Sequence, residues 1–329
     1  MKKFVLLIGF ITTAAFMKAA NVVIDDISYN VDVETMEASV TYGNYDYRDV
    51  LIPESFEYNG KTFKVTSIGD KAFVNSKLIS ISIPYSVVSI GNNAFENNEF
   101  LDKLFIPNSV KDIGQYNEFN VKDSIIIEDG DQMLIMNENM AQTSRPVSRF
   151  YTKYLYIGRK LWGDGIFSDH LSYSVSLSSV EVLEYGDLVE DMLKIIWDGH
   201  TGTMHTLILG AGIKNMQSIN GNKTINKIIC RMQKPIGFDK DYVSTQQYLD
   251  TEIHIPYDTQ SNYLKAEGWK YFLVYYEDVP TNINIVRKDR GALGIWTLDG
   301  KKINNSNFDK TNHPNGIYII DGKKVIIRN

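Results

Sequence analysis

The sequence predicts a β-rich repeat solenoid of the α/β type, in which short strands alternate with irregular or short helical returns. Three observations predict it: a repeating pattern of 22 to 23 residues, short apolar strand patterns at that spacing, and one cysteine in 329 residues. A fixed period indicates units that bury their apolar sides against their neighbours. A lone cysteine excludes an intrachain disulfide, so packing and backbone hydrogen bonds must hold the fold together.

Residues 1–20 have the pattern of a secretory signal peptide. Met1-Lys2-Lys3 is positively charged, Phe4–Phe16 contains no charged residue, and Ala19-Ala20 offers small residues for cleavage near Ala20. An uncharged run of this length is shorter than the roughly 20 residues of a membrane-spanning helix, and no later apolar stretch reaches 18 residues. We therefore expect an exported chain without a transmembrane helix.

An N-terminal β cap is predicted over residues 21–65. Its last part, Tyr58–Ile68, contains Asn59-Gly60 between two alternating apolar segments. Asn-Gly is the strongest short-range signal for a two-residue hairpin turn. A hairpin is therefore expected to lead into the repeats.

The repeats themselves are predicted over residues 66–275. Ile68–Phe73 recurs as Ile90–Phe95, and Ile81–Val87 recurs as Leu104–Val110. Within one unit, apolar residues alternate on a short strand, and a proline, which cannot donate to a ladder, ends it. An Ala-Phe pair then fills the far side of the coil. Each unit thus exposes apolar side chains that only a neighbouring unit can bury.

Degenerate later units follow the pattern apolar-x-x-apolar-x-apolar, but the period is lost over about 130–175, where we expect an irregular insertion. The later units are predicted at Leu177, Val180 and Val182, at Met204, Leu207 and Leu209, and at Ile225, Ile228 and Cys230. Cys230 is expected inside the coil, where a thiol behaves as a small hydrophobic group.

These motifs resemble the BspA-like family of bacterial surface leucine-rich-repeat proteins, whose unit reads L-x-x-I-x-I-P-x-S-V-x-x-I-G-x-x-A-F. Ile127–Asp131 and Leu155–Arg159 are similar to variant units of this family, and Ile253–Pro256 to its closing unit. The cysteine that often precedes the repeat leucine is absent, and Asn97-Asn98 stands in that region. The resemblance implies a leucine-rich-repeat solenoid and a role in adhesion.

A separate β tail is predicted over residues 276–329. Asp299-Gly300 and Asp321-Gly322 each lie between short apolar runs, which predicts two hairpins. The last run, Gly316–Val325, resembles the closing motif of the C-terminal sorting domain of type IX secretion. This implies a secreted protein or one on the outer-membrane surface of a Gram-negative bacterium, with the periplasm as the alternative. The tail could equally be a β appendage that covers the edge of the last repeat.

A binding surface is predicted on the outward side of successive strands, because stacked repeats form one continuous face. The candidate binding residues are Ser80, Ser82, Lys103, Phe105, Ile126, Tyr156, Glu181, Thr206, Ile208 and Lys227. The preferred function is non-enzymatic adhesion to host or bacterial surface proteins. The alternative is a carbohydrate-binding or structural envelope component. An exposed Tyr156 with Trp162 nearby would support this alternative. A hydrolase is a weaker third hypothesis.

No catalytic, phosphate-binding or dinucleotide motif occurs, so we expect no enzyme activity and no cofactor. Asp198, His200 and His205 are the best metal-ligand candidates, but no clear third or fourth ligand completes a site. Asp129 and Asp131 could belong to a calcium loop, but the later acidic ligands of such a loop are missing. No metal site is therefore predicted. The net charge of −6, without a basic block, argues against nucleic acid as a partner.

Overall fold

The computed structural model describes residues 19–46, 48–136, 148–162, 179–192, 204–220 and 224–278, and four tail strands within 295–327. It confirms the predicted β-rich solenoid, which has about eight turns. The strands of the first half are β1 Ala19–Ile24, β2 Ile27–Asp32, β3 Glu37–Val40, β4 Asp49–Leu51, β5 Ser55–Tyr58, β6 Lys61–Ile68, β7 Ser80–Ser82, β8 Ser89–Ile90, β9 Lys103–Ile106, β10 Asp112–Ile113, β11 Asn117–Asn120, β12 Ser124–Ile127 and β13 Leu134–Met136.

The second half continues the same coil and ends in the tail. Its strands are β14 Ser148–Tyr151, β15 Tyr154–Ile157, β16 Leu161–Trp162, β17 Val182–Tyr185, β18 Thr206–Leu209, β19 Lys227–Cys230, β20 Glu252–Pro256, β21 Val274–Asp278, β22 Ile295–Thr297, β23 Lys302–Ile303, β24 Gly316–Ile320 and β25 Lys323–Ile327. Two short helices, α1 Thr245–Asp250 and α2 Gln260–Tyr263, and two single 3-10 turns lie in the last repeats.

The cap forms because adjacent short strands can pair locally. β1, β2 and β3 form an antiparallel meander, and β5 pairs antiparallel with β6. The predicted hairpin is confirmed: Asn59 and Gly60 have φ of 51° and 71°, the left-handed values that this turn requires. β6 then pairs parallel with β3 and with β8, so the cap closes the first end of the solenoid.

Two long sheets run along the solenoid. The strand sheet contains eight parallel strands in the order β9-β12-β15-β17-β18-β19-β20-β21. The return sheet continues from the cap through β6, β8, β10, β13 and β16, and a third side carries the pair β11–β14. Each turn therefore adds one strand to the strand sheet, as the repeat pattern predicts.

A regular turn lies inside the region where the sequence predicts an irregular insertion. β14, β15 and β16 pair in parallel with β11, β12 and β13, so residues 148–162 repeat the preceding turn. The repeat is hard to see in the sequence because the Ala-Phe pair is replaced by strands that carry Phe119 and Phe150 on that side of the coil. The rest of the predicted insertion, 137–147 and 163–175, lies outside the described residues.

A column of aromatic rings fills the far side of the regular turns, which confirms the predicted plug. Tyr45, Phe73, Phe95, Phe119 and Phe150 are all at most 1% exposed, and neighbouring ring centroids lie 4.8, 5.5, 5.7 and 5.4 Å apart. These distances are typical of favourable aromatic pairs. The column joins the cap to the turn at 148–162 through one apolar stack.

Buried asparagines tie each turn to the next. Asn98 donates through Nδ2 to the carbonyls of Phe73 and Phe95, and its Oδ1 accepts from the Leu78 amide. Asn117 makes the same three contacts one turn later, with Gly91, Gly114 and Phe95. Asn98 lies where the family resemblance would place a cysteine. The amide therefore satisfies backbone groups that the tight turns leave without partners.

The strand at 177–182 has a different register from the predicted one. The structure places the strand at Val182–Tyr185, with Leu183 and Tyr185 in the core. The spacing apolar-x-x-apolar-x-apolar fits both registers, but the observed one buries Leu183 and the large Tyr185. Glu184 therefore lies on the outward side, and Glu181 lies before the strand.

The last turns are closed by aromatic side chains and short helices. Ser244 caps α1 through a reciprocal pair of contacts with Gln247, and Trp269 is fully buried against Tyr263 and Phe238. The tail forms a four-stranded sheet in the order β23-β22-β24-β25, which confirms both predicted hairpins. In the part of the chain that the structure describes, the helices are too short to cross a bilayer.

Candidate binding surface

The outward side chains of the strand sheet form two rows, which we call the strand face. The inner row, in register from β9 to β21, contains Phe105, Ile126, Tyr156, Glu184, Ile208, Ile229, His254 and Tyr276. The outer row contains Lys103, Ser124, Tyr154, Val182, Thr206, Lys227, Glu252 and Val274. At a strand spacing of about 4.8 Å, the eight strands give rows roughly 34 Å long.

Most of the predicted binding residues lie in these two rows. The inner row contains Phe105, Ile126, Tyr156 and Ile208, and the outer row contains Lys103, Thr206 and Lys227. Ser80 and Ser82 lie on β7, which pairs with β4 before the strand sheet begins. Glu181 also lies outside the two rows. It precedes β17, and its carbonyl accepts from the amides of His205 and Thr206.

The centre of the strand face is a polar cluster built around Glu184. Its carboxylate accepts from the Tyr154 hydroxyl and from Nη2 of Arg231, and it is only 8% exposed. Nη1 of Arg231 lies 3.7 Å from Oδ1 of Asp187. The cluster thus joins strands β15 and β17 to the end of β19. A carboxylate at this depth is stable only with such a partner, because an unpaired buried charge is costly.

Titration of this cluster is shifted by burial and by the neighbouring charges. Burial and the hydrogen bond to Glu184 raise the pKa of Tyr154 above its usual range. For Arg231, burial lowers the pKa, but the nearby Glu184 and Asp187 carboxylates outweigh it and raise the pKa overall. The tyrosine therefore stays neutral and the arginine stays charged over the physiological range.

Tyr156 is part of the same rigid centre and does not stand out from the surface. It is 7% exposed, and its hydroxyl donates to Oδ1 of Asp129 at 2.6 Å. A Cβ at position 186 would lie 2.6 Å from that hydroxyl, so Gly186 leaves the room in which the ring lies flat. The side chain of Trp162, expected nearby, lies outside the described residues.

Apolar side chains flank the polar centre on both sides. Phe105 and Ile126 are partly exposed on the N-terminal side, and Ile208 and Ile229 are partly exposed on the C-terminal side. The row ends in His254, whose ring stacks on Tyr276 at 5.0 Å. The inner row therefore contains two apolar patches, one on each side of a polar cluster.

Charged side chains border the outer row. Lys103 pairs with Asp123 at 3.4 Å, and Lys122 pairs with Asp102 at 3.7 Å, all near the starts of strands. At the C-terminal end of the face, the two ring nitrogens of His254 lie 3.2 Å from Asp278 and 3.5 Å from Glu252. Exposed ion pairs such as Lys103–Asp123 stabilise a fold little and serve mainly as a polar rim.

Sequence reasoning missed Glu184 and Arg231. The two residues are 47 positions apart, and the predicted register of β17 put Glu181 at the outward position instead. One signal was available. With Leu183 and Tyr185 inward, residues 180–185 match the spacing of Met204, Leu207 and Leu209 in the next unit. Aligning these two units would have placed Glu184 beside Ile208.

The remaining site candidates lie apart from the strand face or outside the described residues. Burial raises the pKa of the Cys230 thiol, which is inside the coil as predicted. Asp198 and His200 lie outside the described residues, and His205 contacts its neighbour Thr206 at 2.8 Å. Within the described ranges, no group of three or more His, Cys, Asp or Glu side chains could hold a metal ion.

Comparison with known proteins agrees with the architecture of the first turns. A model of the BspA-type leucine-rich repeat region matches residues 11–129, in six copies. Over these residues the chain is similar to BspA-type leucine-rich repeats. The match ends just after β12, so the later turns are recognised from their strand register alone. A search of curated proteins gives no match.

Several solved leucine-rich-repeat structures align with parts of the chain. A leucine-rich-repeat protein from Bacteroides capillosus is 24% identical over 32% of this chain and 81% of its own, with a TM-score of 0.29. A leucine rich cell surface protein from Faecalibacterium prausnitzii is 15% identical over 83% and 99%, also at 0.29. A leucine-rich-repeat protein from Bacteroides ovatus is 16% identical over 74% and 80%, at 0.25.

Proposed function

We propose that this protein is a non-enzymatic secreted or cell-surface protein that binds other proteins through the strand face, as an adhesin does. The observation that carries the proposal is the inner row, in which eight side chains from eight strands are held in register. Two partly exposed apolar patches in that row, one of them Ile208 and Ile229, flank a fixed polar centre.

The arrangement of the strand face fits a protein partner. Protein interfaces have an apolar core within a polar, solvent-accessible rim. Here the apolar patches lie in the inner row, and Lys103, Lys227 and Glu252 lie in the outer row beside them. The cluster around Glu184 is already ordered, so binding need not immobilise those side chains. A partner could therefore dock on a preformed surface.

The carbohydrate alternative receives less support from the same face. Sugar sites need an exposed aromatic platform, and Tyr156 was the residue at which the sequence suggested one. Tyr156 is instead almost completely buried and hydrogen-bonded to Asp129. Its neighbours in the inner row are Ile126 and Glu184, and the exposed ring of the row, Tyr276, lies on the last strand, away from the centre.

Display outside the cell is the second part of the proposal. It is supported by the signal-peptide pattern of residues 1–20, by the BspA-type repeats, and by the likeness of Gly316–Val325 to a sorting-domain motif. Treatment of intact cells with proteinase K tests it. We expect the mature chain to be degraded while a periplasmic marker survives. Survival of the chain under conditions that degrade a known surface protein would contradict surface display.

The binding surface is tested by placing a charge in the inner row. The mature chain would be presented to a panel of extracellular-matrix proteins, bacterial surface proteins and glycans by surface plasmon resonance. For a protein ligand, we expect Ile208→Glu and Ile229→Glu to weaken binding at least about tenfold, because each would bury a charge at the interface.

The matched control for this experiment is Val88→Glu. Val88 is 42% exposed beside the return sheet and away from the strand face, so the same substitution there should leave binding unchanged. Equal loss in all three variants would indicate a general effect on the fold. Undiminished binding by the two inner-row variants would show that the ligand binds elsewhere.

A further inference from the structure

A cleft lies at the N-terminal end of the solenoid, outside the strand sheet. It is bounded by the turn between β1 and β2 and by the segment Arg48–Pro53, and its volume is about 480 Å³. Ligand pockets in proteins have volumes of about 300–1,000 Å³. The cleft is therefore large enough to take several residues of an extended peptide.

One wall of the cleft is the free edge of β4. The Arg48 carbonyl accepts from Ile79, and the Ile52 amide donates to Ser82, so alternate backbone groups of this segment face β7. The N–H and C=O groups of Asp49 and Leu51 consequently face the other way, into the cleft. In the described part of the chain, β4 pairs with no strand other than β7. Such an edge is a template for an added strand.

A tyrosine hydroxyl in the lining of the cleft is available as a donor. Tyr29 lines the cleft and is 1% exposed, and its hydroxyl makes no hydrogen bond with any residue that the structure describes. The neighbouring Tyr45 differs, because its hydroxyl donates to the Thr41 carbonyl and accepts from the Ser28 amide. A carbonyl of a bound peptide would accept a hydrogen bond from Tyr29.

The charge of the cleft selects among peptides. Asp25, Asp26 and Asp49 line it, and Arg48 is the cation among its lining residues. Arg48 lies 3.2 Å from Asp26, which leaves two carboxylates in excess. Leu51, at the same edge, is 73% exposed and offers an apolar contact. The site therefore suits an extended segment that carries both a basic and an aliphatic side chain.

We propose that this cleft binds an extended peptide segment bearing lysine or arginine, which adds to the free edge of β4 as an extra strand. The peptide carbonyls accept from Tyr29 and from the amides of Asp49 and Leu51, and the basic side chain lies among the carboxylates. This site is separate from the strand face, and it does not depend on the function proposed for that face.

The test uses the mature chain and two fluorescein-labelled peptides, TVKVT and TVEVT, in fluorescence anisotropy titrations. We expect saturable binding of TVKVT and at least about tenfold weaker binding of TVEVT, because the second peptide would place a carboxylate among carboxylates. Tyr29→Phe, which keeps the ring and removes the hydroxyl, should weaken binding of TVKVT about threefold to tenfold.

The decisive pair of variants is Leu51→Pro and Leu51→Ala. Both remove the leucine side chain, but only proline removes the N–H that faces the cleft, and an edge strand tolerates proline at such a position. We expect Leu51→Pro to lose at least about tenfold in affinity relative to Leu51→Ala. Equal thermal midpoints would show that both variants are folded. If Leu51→Pro does not fold, Tyr29→Phe and Asp49→Asn still test the proposal, through the hydroxyl and the charge of the cleft.

The proposal would be overturned by the absence of TVKVT binding up to about 1 mM, by equal affinity for the two peptides, or by equal affinity of the two Leu51 variants. Self-association that Leu51→Pro abolishes, without peptide binding, would assign the edge to a second copy of the chain and also overturn it. Ile208→Glu should leave peptide binding unchanged, which distinguishes failure at this cleft from failure at the strand face.

Discussion

The first and last turns of the solenoid share a strand sheet but fill the rest of the coil differently. Over 66–136, the aromatic column continues from turn to turn, and the buried Asn98 and Asn117 each link two successive turns. Over 204–278, Trp269, Tyr263 and Phe238 pack at right angles, and Tyr263 and Trp269 donate to the carbonyls of Met232 and Ile236. The strand sheet needs strict register, whereas the return side needs only to be filled and hydrogen-bonded.

The largest effect is expected from the aromatic column, which distinguishes the first turns. Phe95 is 1% exposed and contacts rings on both sides. Phe95→Ala should lower the free energy of unfolding by about 3–5 kcal/mol, because it leaves a cavity between two turns. Urea denaturation followed by circular dichroism measures this. Val88→Ala, at an exposed site in the same turn, should lower the free energy of unfolding much less. Equal losses in the two variants would show that the aromatic column has no special role in stability.

A smaller effect is expected in the polar centre, which belongs to the later turns. Glu184→Gln removes the charge that Arg231 faces, and we expect a loss of about 1–3 kcal/mol because the arginine remains partly solvated. Arg231→Met in the Glu184→Gln background should restore part of that loss. A double-mutant cycle from urea midpoints measures the coupling. Strict additivity would show that the pair contributes no specific stability.

The smallest effect is an alkaline loss of stability in the last turns. Burial, with Tyr271 and nearby carboxylates, raises the pKa of Tyr248 from 10.0 to about 12. A raised folded pKa favours the neutral form, so its contribution is complete below about pH 10 and is lost as pH rises through about 12. Absorbance at 295 nm and urea midpoints at pH 9 to 12 measure this loss.

Tyr248→Phe tests whether that tyrosine contributes. The variant should flatten the decline above pH 10, whereas Tyr257→Phe, at a site 57% exposed, should not change it. The pKa values of Tyr263 and Tyr275 are raised as well, first of all by burial, so part of the decline will remain in the variant. An identical pH profile in the two variants would show that Tyr248 does not contribute to the alkaline loss of stability.

Much of the candidate site was predictable from the sequence, and its centre was not. Phe105, Ile126, Ile208 and Lys227 were placed on the outward side by alternation along strands that end at a proline or a turn. Glu184 was missed because two registers satisfy the same short pattern near residue 180. The choice between them depends on what Leu183 and Tyr185 contact in neighbouring turns, which a local pattern does not contain.

By itself, the sequence determined the solenoid, its aromatic plugs, the Asn59-Gly60 hairpin and the inward position of Cys230. These features depend on residue spacing and turn chemistry within about one repeat, so local sequence patterns are enough to predict them. Only the tertiary structure decided the pairing of Glu184 with Arg231, the burial of Tyr156, and the cleft beside the free edge of β4. Each of these depends on residues from different turns, whose meeting is set by strand register and by the packing of the whole coil.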